Sequence, residues 1–309
     1  MVPFIKNEGH EVSLLVRKPE EAIALFPDCI LVKGDIFREN LGIDGAYFDR
    51  VYHIAGSVNL AKKAETLRVN AEGSYNVCKY VLSNRIPHLV HVSTAYLFGR
   101  NWYEISKKVA DDYVLQLSKG GVFGVAMERI EFDPVKVSLF RPGILIGEDG
   151  LSQAFPTFVR YMARVHRRAE PVRRKIEGTL RLPPVEAVLR LKGNPEGRLN
   201  LVHVEDVAEK VAKAEEGVFY LTNPSPPTLE EVVRWIGETL WLRINMVREF
   251  NSTPIEAVLQ RLTKAFSPYL QGDELPSDIP IKRRINKELV QHIVELVCCG
   301  ANPRVGYLQ

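Results

Sequence analysis

The chain has 309 residues, 46% of them hydrophobic, which is enough to bury a sizeable core and excludes a disordered chain. Its 41 basic and 38 acidic residues leave a net charge of +3, too balanced to point to nucleic acid and compatible only with a mild preference for anionic ligands. No run approaches the roughly 18 consecutive apolar residues of a membrane-spanning helix, no signal pattern opens the chain, and a cytoplasmic location is expected.

The first residues, Val2 to Asn7, read as the tail of an amphipathic helix, with Glu8, Gly9 and His10 as its closing turn. Short β-branched runs then alternate with longer helical patterns. Strands are predicted at 11–16, 30–33, 50–54, 89–93 and 137–140, and helices at 19–26, 66–83 and 102–118. Alternation of this kind, with strands apolar along their whole length, predicts an α/β fold: a Rossmann-like doubly wound parallel sheet covered on both faces. This domain is expected over residues 1–147.

From 148 to 309 the texture changes to helices, loops and prolines, which predicts a smaller, mostly helical substrate lobe. Late strands are predicted at 199–202 and 218–221, so the segment 199–222 is expected to return to the sheet. Helices are predicted at 153–168, 204–215, 228–240, 254–266 and 286–297, with Thr228 and Glu231 forming a capping box at the start of one of them. The four cysteines, Cys29, Cys78, Cys298 and Cys299, lack metal-ligand spacing and are expected as unpaired thiols, and no metal site is expected.

The sharpest chemical constellation is Ser93, Thr94 and Ala95 at a strand end, followed by Tyr103 and Lys107 four residues apart at the start of a helix. That spacing puts the phenol and the ammonium on one helix face. A positive charge beside a phenol is expected to lower its pKa from about 10, making Tyr103 a general acid or base towards a carbonyl or alcohol oxygen that Thr94 also touches. The carboxyl end of a central strand is where open α/β sheets place ligands.

With these residues in place the chain resembles the extended short-chain dehydrogenase/reductases, and within them the fatty acyl-CoA reductase, male-sterility and thioester-reductase branch. The matching stretches, in order, are His53 to Asn59, Val69 to Ser74, His91 to Tyr96, Asn101 to Lys107, Arg141 to Gly147 and Tyr220 to Thr228. The resemblance implies that Thr94 orients the substrate carbonyl and Tyr103 donates the proton. It implies further that Lys107 tunes Tyr103 and binds the nicotinamide ribose, while Asn70 supports the helix behind them. It assigns Asp35 and Ile36 to the adenine side, Ala55 and Gly56 to the adenosine side, Ser93 to the cofactor wall, and Pro142 and Gly143 to the nicotinamide.

Cofactor choice is read at the end of the strand 11–16. Arg17 and Lys18 there favour NADP, with NAD the alternative, because cations attract a 2′-phosphate where a carboxylate would bond the 2′-hydroxyl. A second basic run, with Arg160, Arg164 and Arg168 at helical spacing, reads either as a solvated helix face or as a stripe for the phosphates of coenzyme A, phosphopantetheine or a nucleotide sugar.

Three features depart from the family pattern. No glycine-rich turn precedes the strand 11–16, so an N-terminally truncated chain with weakened cofactor affinity is expected. The interval from Thr94 to Tyr103 is short, and the stretch 120–134 has no functional reading. The expected activity is an NADP-dependent reductase acting on a small molecule, an acyl thioester linked to coenzyme A or a carrier protein, or an aldehyde or ketone. The alternatives are a nucleotide-sugar epimerase or dehydratase holding NAD tightly, and an inactive binding protein. The expected assembly is a homodimer, and neither nucleic acid nor a membrane span is expected.

Overall fold

The computed structural model describes residues 1–43, 45, 47–60, 62–124, 129–148, 154–180, 188–278, 280 and 282–299. The chain divides into two compact units, one of residues 1–143 and 205–221, the other of 144–204 and 222–309.

The first unit opens with α1 (Val2–Asn7), whose closing turn needs Gly9 at φ 84°, then β1 (Ser13–Val16), α2 (Pro19–Ala22) and β2 (Ile30–Lys33). Next come β3 (Val51–His53), α3 (Lys63–Thr66), a π-helical turn at Leu67–Glu72 and α4 (Gly73–Ser83), which run without a break. Then follow β4 (His88–Val92), α5 (Trp102–Leu117), the antiparallel pair β5 (Gly121–Phe123) and β6 (Ile130–Phe132), and β7 (Lys136–Pro142). The stretch 120–134 thus carries a short hairpin, with 125–128 outside the described residues.

The chain enters the second unit with β8 (Ile144–Ile146), α6 (Ala154–Leu180), β9 (Val188–Lys192) and β10 (Leu201–His203). It returns to the first with α7 (Val204–Lys213) and β11 (Gly217–Leu221). It ends in the second with α8 (Leu229–Thr239), β12 (Arg243–Val247), α9 (Pro254–Thr263) and α10 (Lys287–Cys299).

In the first unit four strands form one all-parallel sheet, ordered β11, β7, β4, β3, while β1 and β2 form a separate parallel pair. Val137, Ser138, Leu139 and Phe140 of β7 are all buried, as a strand covered on both faces must be. One side is filled by Val77, Val81, Val114 and Leu117 from α4 and α5 packed against Leu89 and Leu139. Each such side chain, removed from water, contributes about 2 kcal/mol to holding helices on sheet. The fold is Rossmann-like.

The second unit has its own apolar core, built from α6, α8, α9, α10 and the parallel pairs β8–β10 and β9–β12. Of the segment 199–222, Gly217–Leu221 pairs with β7, whereas Leu201–His203 pairs with β8. The expected Thr228–Glu231 capping box is present, and a second, Thr253–Glu256, starts α9. β8, β9 and β12 were not expected from the sequence. In β9 and β12 the signal is brief, two buried residues each, Leu189 and Leu191, and Ile244 and Met246.

Among the described residues no helix is long and apolar enough to cross a membrane, and no group of side chains could hold a metal ion.

Candidate active site

The central feature is the junction between β4 and α5. Beyond Val92 the chain stays on the ladder for two more bonds, Ser93 N–H to Phe140 O at 2.7 Å and Ala95 N–H to Pro142 O at 2.8 Å, which fixes Thr94 between them. Thr94 is 4% exposed and its Oγ1 accepts from the Tyr96 amide at 3.2 Å. The start of α5 is equally well anchored. Asn101 Oδ1 accepts from the Glu104 N–H at 2.9 Å, and the buried Glu104 carboxylate takes the Arg100 amide at 2.9 Å and its guanidinium at 2.8 Å. This doubly closed cap sets the helix phase that brings the Tyr103 hydroxyl into a hydrogen bond with Thr94.

One turn on, Lys107 is 5% exposed, with its Nζ donating to the Val92 carbonyl at 3.1 Å. The loop after β3 lies directly on this ammonium: a Cβ at Gly56 would stand 3.2 Å from both Lys107 Nζ and Asn70 Oδ1. Asn70, in the π-helical turn and 1% exposed, has its amide saturated. Its Oδ1 accepts from Ser57 N–H at 2.8 Å, and its Nδ2 donates to Ser57 O at 2.9 Å and Ser106 Oγ at 3.0 Å. Ser106 Oγ in turn donates to the Tyr103 carbonyl at 2.8 Å. Asn70 therefore ties the β3 loop, the π turn and α5 into one assembly, as π distortions at functional sites often do.

The electrostatics differ from expectation. Burial pushes the Tyr103 phenol up to about 12, partly offset by the Thr94 hydrogen bond and reinforced by the Glu104 and Asp111 carboxylates. Burial pushes Lys107 down to about 8, against the pull of Asp111. Lowering of Tyr103 by Lys107 is not found: desolvation of the phenol sets the shift, and Lys107, itself buried and hydrogen-bonded to Val92, is not among the groups that move it. The neutral phenol is the form that can donate a proton.

Beneath Lys107 lie two buried histidines, His53 and His91, with ring centroids 5.0 Å apart. Burial and the nearby Lys107 charge hold His53 down at about 3, and His91 is likewise held well below the usual histidine value. His53 Nε2 bonds Ser74 Oγ at 2.9 Å, and that hydroxyl donates to the Asn70 carbonyl at 2.6 Å.

The remaining candidates lie at strand ends. Asp35 Oδ1 accepts from Phe37 N–H at 3.0 Å within the turn after β2, and the Ile36 carbonyl accepts from Asn76 Nδ2 at 2.8 Å. Arg17 and Lys18 are exposed after β1, and Lys18 is paired with Glu21 at 2.6 Å, so a carboxylate already engages one of the two cations expected to face phosphate. Ala55 and Gly56 are exposed after β3. The Gly143 amide donates to Leu221 O at 3.1 Å, and the Pro142 carbonyl is taken by Ala95. Thus Thr94, Tyr103, Lys107, Asn70 and Gly56 are brought together, while Lys18 and Asp35 make local bonds and Arg17 is exposed. Arg160, Arg164 and Arg168 lie on the exposed side of α6, opposite the buried Val159 and Met162.

Sequence reasoning missed Ser57, Ser106 and Asp111. Asp111 is 1% exposed and accepts from Arg141 Nε at 2.9 Å, and Arg141 also donates to Tyr220 Oη at 2.8 Å. Its place four residues after Lys107 and eight after Tyr103 is the helical spacing that would have found it.

A parallel sheet with helices packed on it, and with Thr94 just beyond the carboxyl end of β4, defines the Rossmann-like, doubly wound class of fold. Residues 11–115 match the male sterility protein family. No curated protein sequence matches the chain. Among solved structures it is similar to DesIV, a dTDP-glucose 4,6-dehydratase from Streptomyces venezuelae with NAD and DAU bound (TM-score 0.60, 15% identity, covering 92% of this chain and 86% of that one). It is also similar to UDP-N-acetylglucosamine 4-epimerase from Bacillus cereus (TM-score 0.56, 16% identity, 96% and 90% covered) and to RMD from Pseudomonas aeruginosa complexed with NADPH (TM-score 0.52, 14% identity, 93% and 95% covered). At these identities the structures share the fold.

Proposed function

We propose that the protein is an NADP-dependent oxidoreductase of the extended short-chain type, reducing an acyl thioester or an aldehyde or ketone. The observation that carries this reading is the Thr94–Tyr103 hydroxyl pair set beside a buried lysine, on a junction pinned by the ladder and by the α5 cap. The residues fit the nicotinamide ribose side of a dinucleotide. Gly56 leaves bare backbone over Lys107 Nζ, where a side chain would crowd the ammonium, and the Lys107 head group is near the Asn70-clamped loop.

A reduced nicotinamide, when bound, supplies the hydride. Thr94 and Tyr103 hold the substrate oxygen between two hydroxyls, and Tyr103, kept neutral by burial, passes its proton to that oxygen as negative charge develops there. With the dinucleotide bound, the ammonium of Lys107 would hold its ribose hydroxyls and would offset the charge of the phenolate left behind. For a ketone or aldehyde the balance is carbonyl, NADPH and one proton giving alcohol and NADP+. For a thioester it is thioester, NADPH and one proton giving aldehyde, thiol and NADP+. Arg17 after β1 supports the choice of NADP, by pairing with a 2′-phosphate.

The test is NADPH oxidation, followed by absorbance, with long-chain acyl-CoA and with the matching aldehydes. Turnover with either class that is lost in Tyr103→Phe supports the reading, and no turnover across chain lengths in both classes overturns it. The fold shared with DesIV and the Bacillus cereus epimerase favours a second reading, a nucleotide-sugar enzyme that keeps its NAD. Native mass spectrometry of the purified protein separates the two: retained NAD selects the second.

A further inference from the structure

The second unit carries a cavity of about 470 Å³ bounded by the end of β9, by α9 and by the 3-10 turns Lys264–Leu270 that follow it. Its frame is pinned by the main chain. Asn194, just after β9, donates its N–H to Leu270 O at 2.8 Å and its Nδ2 to Gln271 O at 3.1 Å. Gly193 lies so close to the turns that a Cβ there would stand 2.6 Å from Leu270 O. The strand end and the turns are therefore held against each other before any ligand arrives.

The lining specifies the occupant. Leu191 and Leu270, both buried, contribute apolar surface, while Lys192, Arg261 and Lys264 contribute three cations and no carboxylate is among the residues that line the cavity. Among the described residues none of the three cations has an ion pair or a hydrogen bond. Exposed cations elsewhere on the chain are paired, as Lys18, Lys210, Arg248 and Lys287 are. The acid at the start of α9, Glu256, is buried and occupied by Arg190 at 2.8 Å and by the Thr253 cap. The negative end of the α9 dipole favours Arg261 and Lys264, but Lys192 stands on a strand and has no such compensation. Gathered like charges repel, so this arrangement is costly unless an anion joins it. A carboxylate would neutralise one cation of three, and a nucleic acid strand would need aromatic side chains for its bases, of which the lining has none. A phosphate monoester brings about 1.5 to 2 negative charges and three acceptor oxygens, which match the arginine fork and two ammonium groups.

We propose that this cavity binds a small phosphate monoester with a compact apolar body, the phosphate held by Lys192, Arg261 and Lys264 and the body resting on Leu191 and Leu270. The site goes beyond the proposed reduction, since all of its residues belong to the second unit and none to the hydroxyl and lysine site of the first.

The test is isothermal titration calorimetry on the full chain at low ionic strength, with phenyl phosphate as the probe beside inorganic phosphate and phenol. Phenyl phosphate is expected to bind with one-to-one stoichiometry and more tightly than either of the others. The double variant Arg261→Gln, Lys264→Gln is expected to weaken it by about tenfold or more, whereas Arg164→Gln with Arg168→Gln, on the basic run of α6, leaves Kd within about twofold. Lys192→Gln, on a different element, gives a second reading with a loss of about threefold to tenfold. Melting curves keep the result separate from folding: without probe the Arg261 and Lys264 double variant is expected to melt no lower than the natural chain, and saturating phenyl phosphate to raise the Tm of the natural chain alone. No binding, equal affinity for inorganic and phenyl phosphate, an unchanged Kd in the double variant, or an equal loss in the α6 variant would each overturn the proposal.

Discussion

The four-stranded sheet and the β1–β2 pair present their strand ends to ligand in different ways. On the former, Thr94 is held by the Tyr96 amide, Tyr103 by Thr94, Lys107 by the Val92 carbonyl and Asn70 by Ser57 and Ser106, so the hydroxyl pair and lysine are in place before any ligand arrives. On the latter, Arg17 and Lys18 are exposed, and Lys18 is occupied by Glu21, three residues away. Under the proposed function, the difference teaches that chemistry and cofactor choice are under separate control. The first is preorganised by burial, the second rests on surface charge that solvent screens.

The largest effect is expected where preorganisation is tightest. Tyr103→Phe keeps the ring and removes the proton donor, and kcat is expected to fall by about 10² to 10⁴ with the circular dichroism spectrum unchanged. A drop of less than tenfold would show that the buried phenol is structural. Next, Asn70→Ala strands the Ser57 amide and carbonyl and the Ser106 hydroxyl, and urea unfolding is expected to show a loss of about 3 kcal/mol. The matching change on the other side, Lys18→Ala, is expected to move stability by under about 0.5 kcal/mol.

Lys107 sharpens the contrast through pH. Its value in the folded protein, about 8, is below the ordinary lysine value of 10.5, so between these the unfolded chain binds more protons than the folded one. Stability is therefore expected to rise with pH from about 8 towards 10, and Lys107→Met is expected to flatten that rise in urea midpoints while raising stability at pH 7 by about 3 kcal/mol. A change in specificity alone is expected for Arg17→Glu, where the ratio of KM for NADPH to KM for NADH increases about tenfold with kcat retained. An unchanged ratio would remove Arg17 from cofactor selection.

Much of the site was legible because it is local. Thr94 follows a strand whose apolar run is unmistakable, and Tyr103 and Lys107 are one helical turn apart behind the Asn101 cap, so sequence spacing already places them. Ser57 and Ser106 were not legible, since their roles come from a single amide, Asn70, that reaches 13 and 36 residues along the chain. The direction of the Tyr103 shift, upward rather than downward, is not legible in sequence for a related reason. Sequence shows which charges are near, whereas the cost of desolvation depends on everything packed around them.

The sequence by itself determined the alternation of strand and helix, the sheet-end location of Thr94 and the helical pairing of Tyr103 with Lys107, because periods of two and 3.6 residues are written in the order of the side chains. Only the tertiary structure decided which strands are neighbours, how deeply the phenol and ammonium are desolvated, and that β1 and β3 line one cavity. Strand order, burial and the closing of backbone ladders are set by contacts between residues far apart in the chain, and no local pattern records them.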